Sequence, residues 1–415
     1  MLILAATAIG GGAGYVLQAF AGPTLDTKLY APFSVFWSAL YLFVSALSGL
    51  QQEVTRATKP VTVGVSAPAS VSHGRGALLR NFSLLTMLVV AALVAGSAWL
   101  WVSTVFPVGG WSFIPPLVLG LVGYVAVAAI SGVFYGLSFW VLAAMMTVVD
   151  GLLRLVIVGT LLFLTKDTVV LAWGVAAPFA LTPVIVWLVA RSSVTGRFSL
   201  DVGPRALTWN VARTIVAATA TGIMVSGLPL VIQSTGATGT VDDFGALTYA
   251  INLTRAPIVI VVLALQSYLV VTFRAHADAV LGWVLRLSAV VLGGSLVLAF
   301  LAWWLGPWVL TALFHREDVL PALTLGLLVA TAGLVGVLCV TGAATLARSQ
   351  HSSFTAGWIV AAILTIIVLL LPLGLQERTL LAMTLGPVGG LVVHGIALTR
   401  RSGRGAGGSV PEPIS

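Results

Sequence analysis

Apolar residues run in long stretches along this chain, and nearly all charges fall in the gaps between them. Residues 30–50 set the pattern. They carry no charge and, at ~1.5 Å per helical residue, suffice to cross a ~30 Å hydrocarbon layer. The run stops at Gln51, Gln52 and Glu53, and Arg56 and Lys59 follow. Twelve such runs are predicted as membrane helices, at about 1–22, 30–50, 80–106, 112–135, 138–164, 169–190, 208–233, 244–273, 279–306, 321–347, 353–373 and 379–399. Two longer polar segments interrupt them. Residues 53–79, with Pro60 and Pro68, read as a loop, and residues 191–206 divide the chain near its middle. The predicted organisation is a lobe of six helices over 1–190, a cytoplasmic linker over 191–206, a second lobe over 207–399 and a disordered Gly/Ser/Pro-rich tail over 400–415.

Composition agrees. The 415 residues are 59% hydrophobic and 8% charged, against roughly a quarter charged in a soluble domain. The expected fold class is therefore an all-α polytopic membrane protein. The first run has no basic residues ahead of it, so it reads as a span rather than a secretory leader. The net charge of +8 lies between spans and not in one patch, which argues against nucleic acid as a partner.

Charge position sets an orientation. With the N-terminus inside, fourteen Lys and Arg fall on the cytoplasmic side and four on the outer side. An even number of spans puts both termini in the cytoplasm. The halves also echo one another. Residues 30–34, YAPFS, resemble residues 244–248, FGALT, 214 positions on, and Gln51 before Arg56 resembles Gln266 before Arg274. Six spans per half make this a parallel repeat, with a pseudo-two-fold axis along the membrane normal.

The candidate chemistry lies in the few ionisable groups inside the runs, where charge is costly. Asp150 and Arg154 are one helical turn apart in the fifth run, so either they neutralise each other or their face lines a cavity, with Asp150 as an ion-coupling site and Arg154 as a substrate contact. Arg255 lies in the eighth run beside Asn252 and Thr254, with no acidic residue within a turn. Two readings stand for it: a cavity arginine suited to phosphate oxygens, or a structural pair with Asp150. Arg56 and Arg274, with Gln51, Gln52 and Gln266, are read as topology determinants or as a basic cytoplasmic entrance for anionic lipid headgroups. Trp99, Trp101, Trp111, Trp303, Trp304 and Trp308 flank outer loops as belt residues. The five histidines do not fall at metal-ligand spacing, and the lone Cys339 sits within an apolar run, so no metal site and no cofactor are expected. No phosphate-cradling loop is evident either.

The stretch LYAPFSVFWSALYLFVSALSGLQQEVTRA and the second-half hairpin FGALTYAINLTRAPIVIV resemble the Wzx-type polysaccharide or O-antigen flippases of the multidrug/oligosaccharidyl-lipid/polysaccharide (MOP) exporter superfamily. The resemblance implies two six-helix lobes around a central cavity. It implies flipping of polyprenyl-pyrophosphate-linked oligosaccharides across the bacterial cytoplasmic membrane by alternating access, and no enzymatic activity. It implies cationic side chains in the cavity, here Arg255 and Arg154. Its partners would be the lipid-linked glycan, membrane lipids, and glycosyltransferases or a polymerase of the same pathway. A MATE-like drug/cation antiporter would share the architecture and use Asp150 for ion coupling. A membrane glycosyltransferase would instead need outward-facing acids such as Asp26, Asp242 or Asp243.

Overall fold

The computed structural model describes residues 2–61, 69–107, 109–236, 240–276, 279–313 and 319–400; side chains are described within these except at 69–76, 256–268, 271 and 313. Its helices are α1 (Leu2–Thr24), α2 (Thr27–Ala57), α3 (Ala69–Val105), α4 (Ile114–Gly136), α5 (Trp140–Leu164), α6 (Thr168–Val194), α7 (Pro204–Val225), α8 (Leu228–Ser234), α9 (Val241–Ala275), α10 (Val280–Trp308), α11 (Ala322–Ala347), α12 (His351–Leu369) and α13 (Leu375–Thr399). Among the described residues, ten are long and apolar enough to cross a membrane. The pair α7 and α8, bent by 87°, makes an eleventh when taken as one span. The helix α9 has 35 residues and runs unbroken through the stretch where the eighth span is predicted.

The helices form two lobes that pack alike. In the first, α1 packs on α5, α2 and α3 on α4, and α6 on both α4 and α5. In the second, α7 packs on α12, α9 and α10 on α11, and α13 on both α11 and α12. Each contact of one set has its counterpart in the other, which is what a pseudo-two-fold repeat requires. The main contacts between lobes run from α2 to α7, α8 and α9, and from α1 to α9. The outer helices α3 and α10 bury little of their surface, as lipid-facing helices do in a medium as apolar as they are.

Both polar interruptions carry more structure than the pattern of polarity suggests. The segment 53–79 is not all loop: α2 continues to Ala57, a strand β1 (Thr58–Pro60) follows, and α3 has begun by Ala69. The linker holds the end of α6 and a strand β2 (Phe198–Leu200), which pairs antiparallel with β1. Lys59 and Asp201 add an ion pair at 3.7 Å. Backbone groups outside the hydrocarbon still need partners, and a two-strand ladder supplies them here. The acids that the charge bias assigns to the outer side also have structural work. Asp26 caps α2 by accepting from the Leu29 amide, Asp167 caps α6, and Thr240 with Asp243 forms a capping box on α9.

Candidate functional site

Arg154 in one lobe and Arg255 in the other are both buried at related places, and they are held differently. In the N-terminal lobe Arg154 is almost fully buried and donates to both carboxylate oxygens of Asp150, at 2.6 and 2.9 Å. Its guanidinium lies 4.3 Å from the Phe179 ring centre and 5.5 Å from that of Tyr41. Its Nε approaches the Val175 carbonyl at 3.5 Å. A planar guanidinium with a bidentate carboxylate and two aromatic faces is a well-satisfied buried cation. Trp37 stacks on Tyr41 and Tyr124 meets Phe179 edge-on, so the pair sits in an aromatic surround.

In the C-terminal lobe Arg255 is 5% exposed. Among the described residues it has no carboxylate partner, and its buried Nε has no hydrogen bond. The alternative pairing with Asp150 is not formed, because Asp150 is already taken by Arg154 one turn away on its own helix. Arg255 borders a pocket of about 10 Å³, room for roughly one water, with Met224 on α7, Leu228 on α8, Val335 on α11, Thr365 on α12 and Met383 on α13.

The repeat relates these two places. The helices α2 and α9 begin 214 residues apart, α5 and α12 211 apart, and α6 and α13 207 apart. By those offsets Tyr41 corresponds to Arg255, Arg154 to Thr365, Val175 to Ala382 and Phe179 to Gly386. The contacts agree: Thr365 Oγ1 approaches the Ala382 carbonyl at 3.5 Å, as Arg154 Nε approaches that of Val175. A Cβ on Gly386 would overlap Thr365 Oγ1, where in the first lobe Phe179 covers Arg154. The arginine has thus moved from the α5-type helix to the α2-type helix. The carboxylate has not moved with it, since Ala361 stands where Asp150 does.

Asn252 lies one turn from Arg255 but faces the seam between the lobes. Its amide donates to Tyr30 Oη and to Ser34 Oγ, both at 3.1 Å. Tyr30 Oη donates to Gln18 Oε1 at 2.8 Å, and Tyr249 Oη donates to the Ala19 carbonyl at 3.1 Å. Just above, Thr27 Oγ1 donates to Asp242 Oδ1 at 2.9 Å. These bonds join α1, α2 and α9 at the end that the charge bias assigns to the outer side. At the other end of α2, Glu53 accepts from Thr214 of α7 at 2.8 Å and pairs with Arg56 at 2.6 Å. Gln52 and Arg274 are exposed and Gln51 is half-buried; the side chain of Gln266 lies outside those described.

Sequence reasoning missed the bonding of Gln18, Tyr30 and Ser34 and the surround of Tyr41 and Phe179, because their partners are distant in the chain. The break between α7 and α8 did carry a signal, Gly227 and Pro229 inside an apolar run. There Ser38 of α2 donates to the Ser226 carbonyl at 2.7 Å and accepts from the Leu230 amide at 3.1 Å.

The arrangement defines a class: a two-lobed helical membrane protein whose lobes meet through their first two spans. Solved structures share it. An inward-facing multidrug resistance MATE family transporter of the MOP superfamily superposes with a TM-score of 0.69 at 14% identity, covering 94% of each chain. The lipid II flippase MurJ in an inward closed conformation gives 0.70 at 12% identity, covering 96% of this chain and 87% of that one. These likenesses establish the fold. No family model matches the chain. It is 31% identical over 409 residues to the uncharacterized protein Rv1510 of Mycobacterium tuberculosis H37Rv, covering 96% of this chain and 90% of that protein, and it belongs to the same family. The uncharacterized protein Mb3654 of Mycobacterium bovis is 29% identical over 400 residues, covering 95% and 90%.

Proposed function

We propose that the chain is a MOP-type transporter, not an enzyme, that flips a polyprenyl-pyrophosphate-linked oligosaccharide across the bacterial cytoplasmic membrane by alternating access, with both termini in the cytoplasm. The observation that carries this reading is Arg255, a buried guanidinium with no carboxylate partner among the described residues. An uncompensated cation at membrane depth is costly and suits an anionic ligand that completes it. A pyrophosphate headgroup has that chemistry, while its lipid tail stays in the bilayer. Arg56 and Arg274 at the cytoplasmic ends of α2 and α9, with Gln51, Gln52 and Gln266, would gather such headgroups. Partners would be membrane lipids and the glycosyltransferases or polymerase that make and use the glycan.

The cation-antiporter reading needs Asp150 free to exchange ions. Arg154 grips both its oxygens, so the N-terminal lobe already holds the chain's own cation. A glycosyltransferase would need outer acids available to a metal and a sugar donor. Asp26 and Asp243 are instead engaged as helix caps, and Asp242 accepts from Thr27.

The test is flux of a fluorescent lipid-linked oligosaccharide in liposomes. Arg255→Ala is expected to abolish flipping while the protein stays folded. Unchanged flux in that variant, or efflux of a soluble cationic dye by the unmodified protein without lipid flipping, would overturn the reading.

A further inference from the structure

One buried titratable group belongs to neither arginine site. His394 of α13 is fully buried where α11 ends, α12 begins and α13 ends. It lies five residues before the end of α13, about 8 Å along the axis. Three helices hold its ring. Nε2 lies 3.3 Å from the Phe354 carbonyl of α12, Nδ1 lies 3.0 Å from Thr341 Oγ1 of α11, and the Phe354 ring lies nearly parallel at 6.4 Å between centres. Gly357 makes room for it, since a Cβ there would overlap Nε2.

The hydrogen-bond partners determine what this ring can do. A carbonyl only accepts, so Nε2 carries a proton. In the neutral ring Nδ1 then accepts from the Thr341 hydroxyl. That hydroxyl also has two carbonyls within reach, Val337 and Leu338, each at 3.1 Å. If Nδ1 takes up a proton, it donates to Thr341 Oγ1 and the hydroxyl turns to one of those carbonyls. Every polar hydrogen of the ring and the hydroxyl thus has a partner within reach in either state.

We propose that His394 is a proton-binding site whose loading loosens the packing of α11, α12 and α13 at this end of the C-terminal lobe. The proton adds to Nδ1 and no bond breaks. The ionisable groups on the three helices are Cys339 and Arg348 on α11, His351 on α12, and Glu377, Arg378 and Arg400 at the ends of α13. Among the described residues none pairs with the imidazole; Arg348 is turned to the Leu398 carbonyl at 2.5 Å and Arg378 to those of Leu369 and Gly236. The imidazolium would therefore be hydrogen-bonded but not charge-compensated. Water entering at the nearby helix ends would stabilise it, so proton uptake and opening are linked. This inference concerns a different place from Arg255 and does not depend on which substrate is carried.

The experiment uses the full chain in nanodiscs. Histidine labelled with ¹⁵N is followed from about pH 5 to 8, the range in which imidazoles titrate. Loss of one signal in His394→Asn assigns it. The expected result is a titrating pair of ring nitrogens. Thr341→Val should move the midpoint down, because both forms of the ring lose a hydrogen bond and the charged form loses the stronger one, and Thr341→Ser should leave it in place. Spin labels at Ser352 and Thr399, in a Cys339→Ala background, should move apart at low pH and stay fixed in His394→Asn or His394→Gln. Asn keeps a polar atom near the Nδ1 position facing Thr341 and Gln one near the Nε2 position facing Phe354, so each variant retains one of the two hydrogen bonds and neither can take up a proton. A ring that holds one tautomer across the range, a midpoint indifferent to Thr341→Val, or label distances that follow pH equally in the Asn and Gln variants would overturn the proposal.

Discussion

Asn252 donates its side-chain amide to Tyr30 Oη at 3.1 Å, across the seam between the two lobes. Tyr30 passes the bond on to Gln18, so three helices are joined through side chains alone. Such bonds can be exchanged for water when the seam opens, at little net cost, because each is worth only about 1 kcal/mol. The clasp is thus suited to a gate that must break and re-form. Ser34→Cys with Asn252→Cys, in a Cys339→Ala background, is expected to cross-link on oxidation and stop lipid flux in liposomes. Reduction should restore it. Oxidised protein that cross-links fully yet transports at the normal rate would show that this seam stays shut throughout the cycle.

The Asp150 and Arg154 pair gives a second expectation. Removing one member of a buried pair leaves the other uncompensated, at a cost of roughly 3–5 kcal/mol. Asp150→Asn should therefore lower the thermal unfolding temperature sharply. Asp150→Asn with Arg154→Met should recover most of the loss, because the aromatic surround of Tyr41 and Phe179 accepts an apolar side chain. Thermal unfolding in detergent, read for both single variants and the double, closes the cycle. Purely additive losses would mean that the pair does not act as a unit.

Much of the fold was legible from polarity alone, because hydrocarbon demands unbroken apolar helices. The offset of 214 between YAPFS and FGALT is also the offset between the starts of α2 and α9, so the repeat was readable too. Spacing within one helix brought Asp150 and Arg154 together but left open whether they pair or line a cavity. What escaped depended on residues far apart in the chain. Asn252 gave no sign that Tyr30 and Ser34 would claim its amide, more than two hundred residues away. Nor did His394 give any sign of Thr341, 53 positions earlier on another helix. The exchange of the arginine between lobes became visible only once α5, α6, α12 and α13 could be laid side by side.

The seam between α2 and α7 rests on close backbone approach. A Cβ added at Gly49 would sit 2.8 Å from the Ile215 backbone nitrogen, and one at Gly222 2.7 Å from Ser45 Cβ. Backbone cannot yield as a side chain can. Gly49→Ala should force the helices apart and cost roughly 1–3 kcal/mol. Gly12→Ala is the control, since nothing lies within 4 Å of its added Cβ. Equal thermal stability for the two variants would mean that α2 and α7 are not held this close in the membrane.

Ser38 bridges the break in the seventh span. One hydroxyl donates to the last-turn carbonyl of Ser226 and accepts from the Leu230 amide, so it ties α7 to α8 through an 87° bend. Helix ends at membrane depth leave backbone groups that hydrocarbon cannot satisfy. Ser38→Ala removes both bonds together and should cost about 1–3 kcal/mol, through the polar groups left unpaired. Leu228 and Met224, on either side of the break, also line the Arg255 pocket. Loss of the bridge is therefore expected to change how Arg255 is presented as well as stability. Flux and unfolding temperature measured on the same preparation separate the two effects. A flux that falls further than the folded fraction would place the break within the transport cycle, and a flux that falls only in step with it would confine Ser38 to holding the bend.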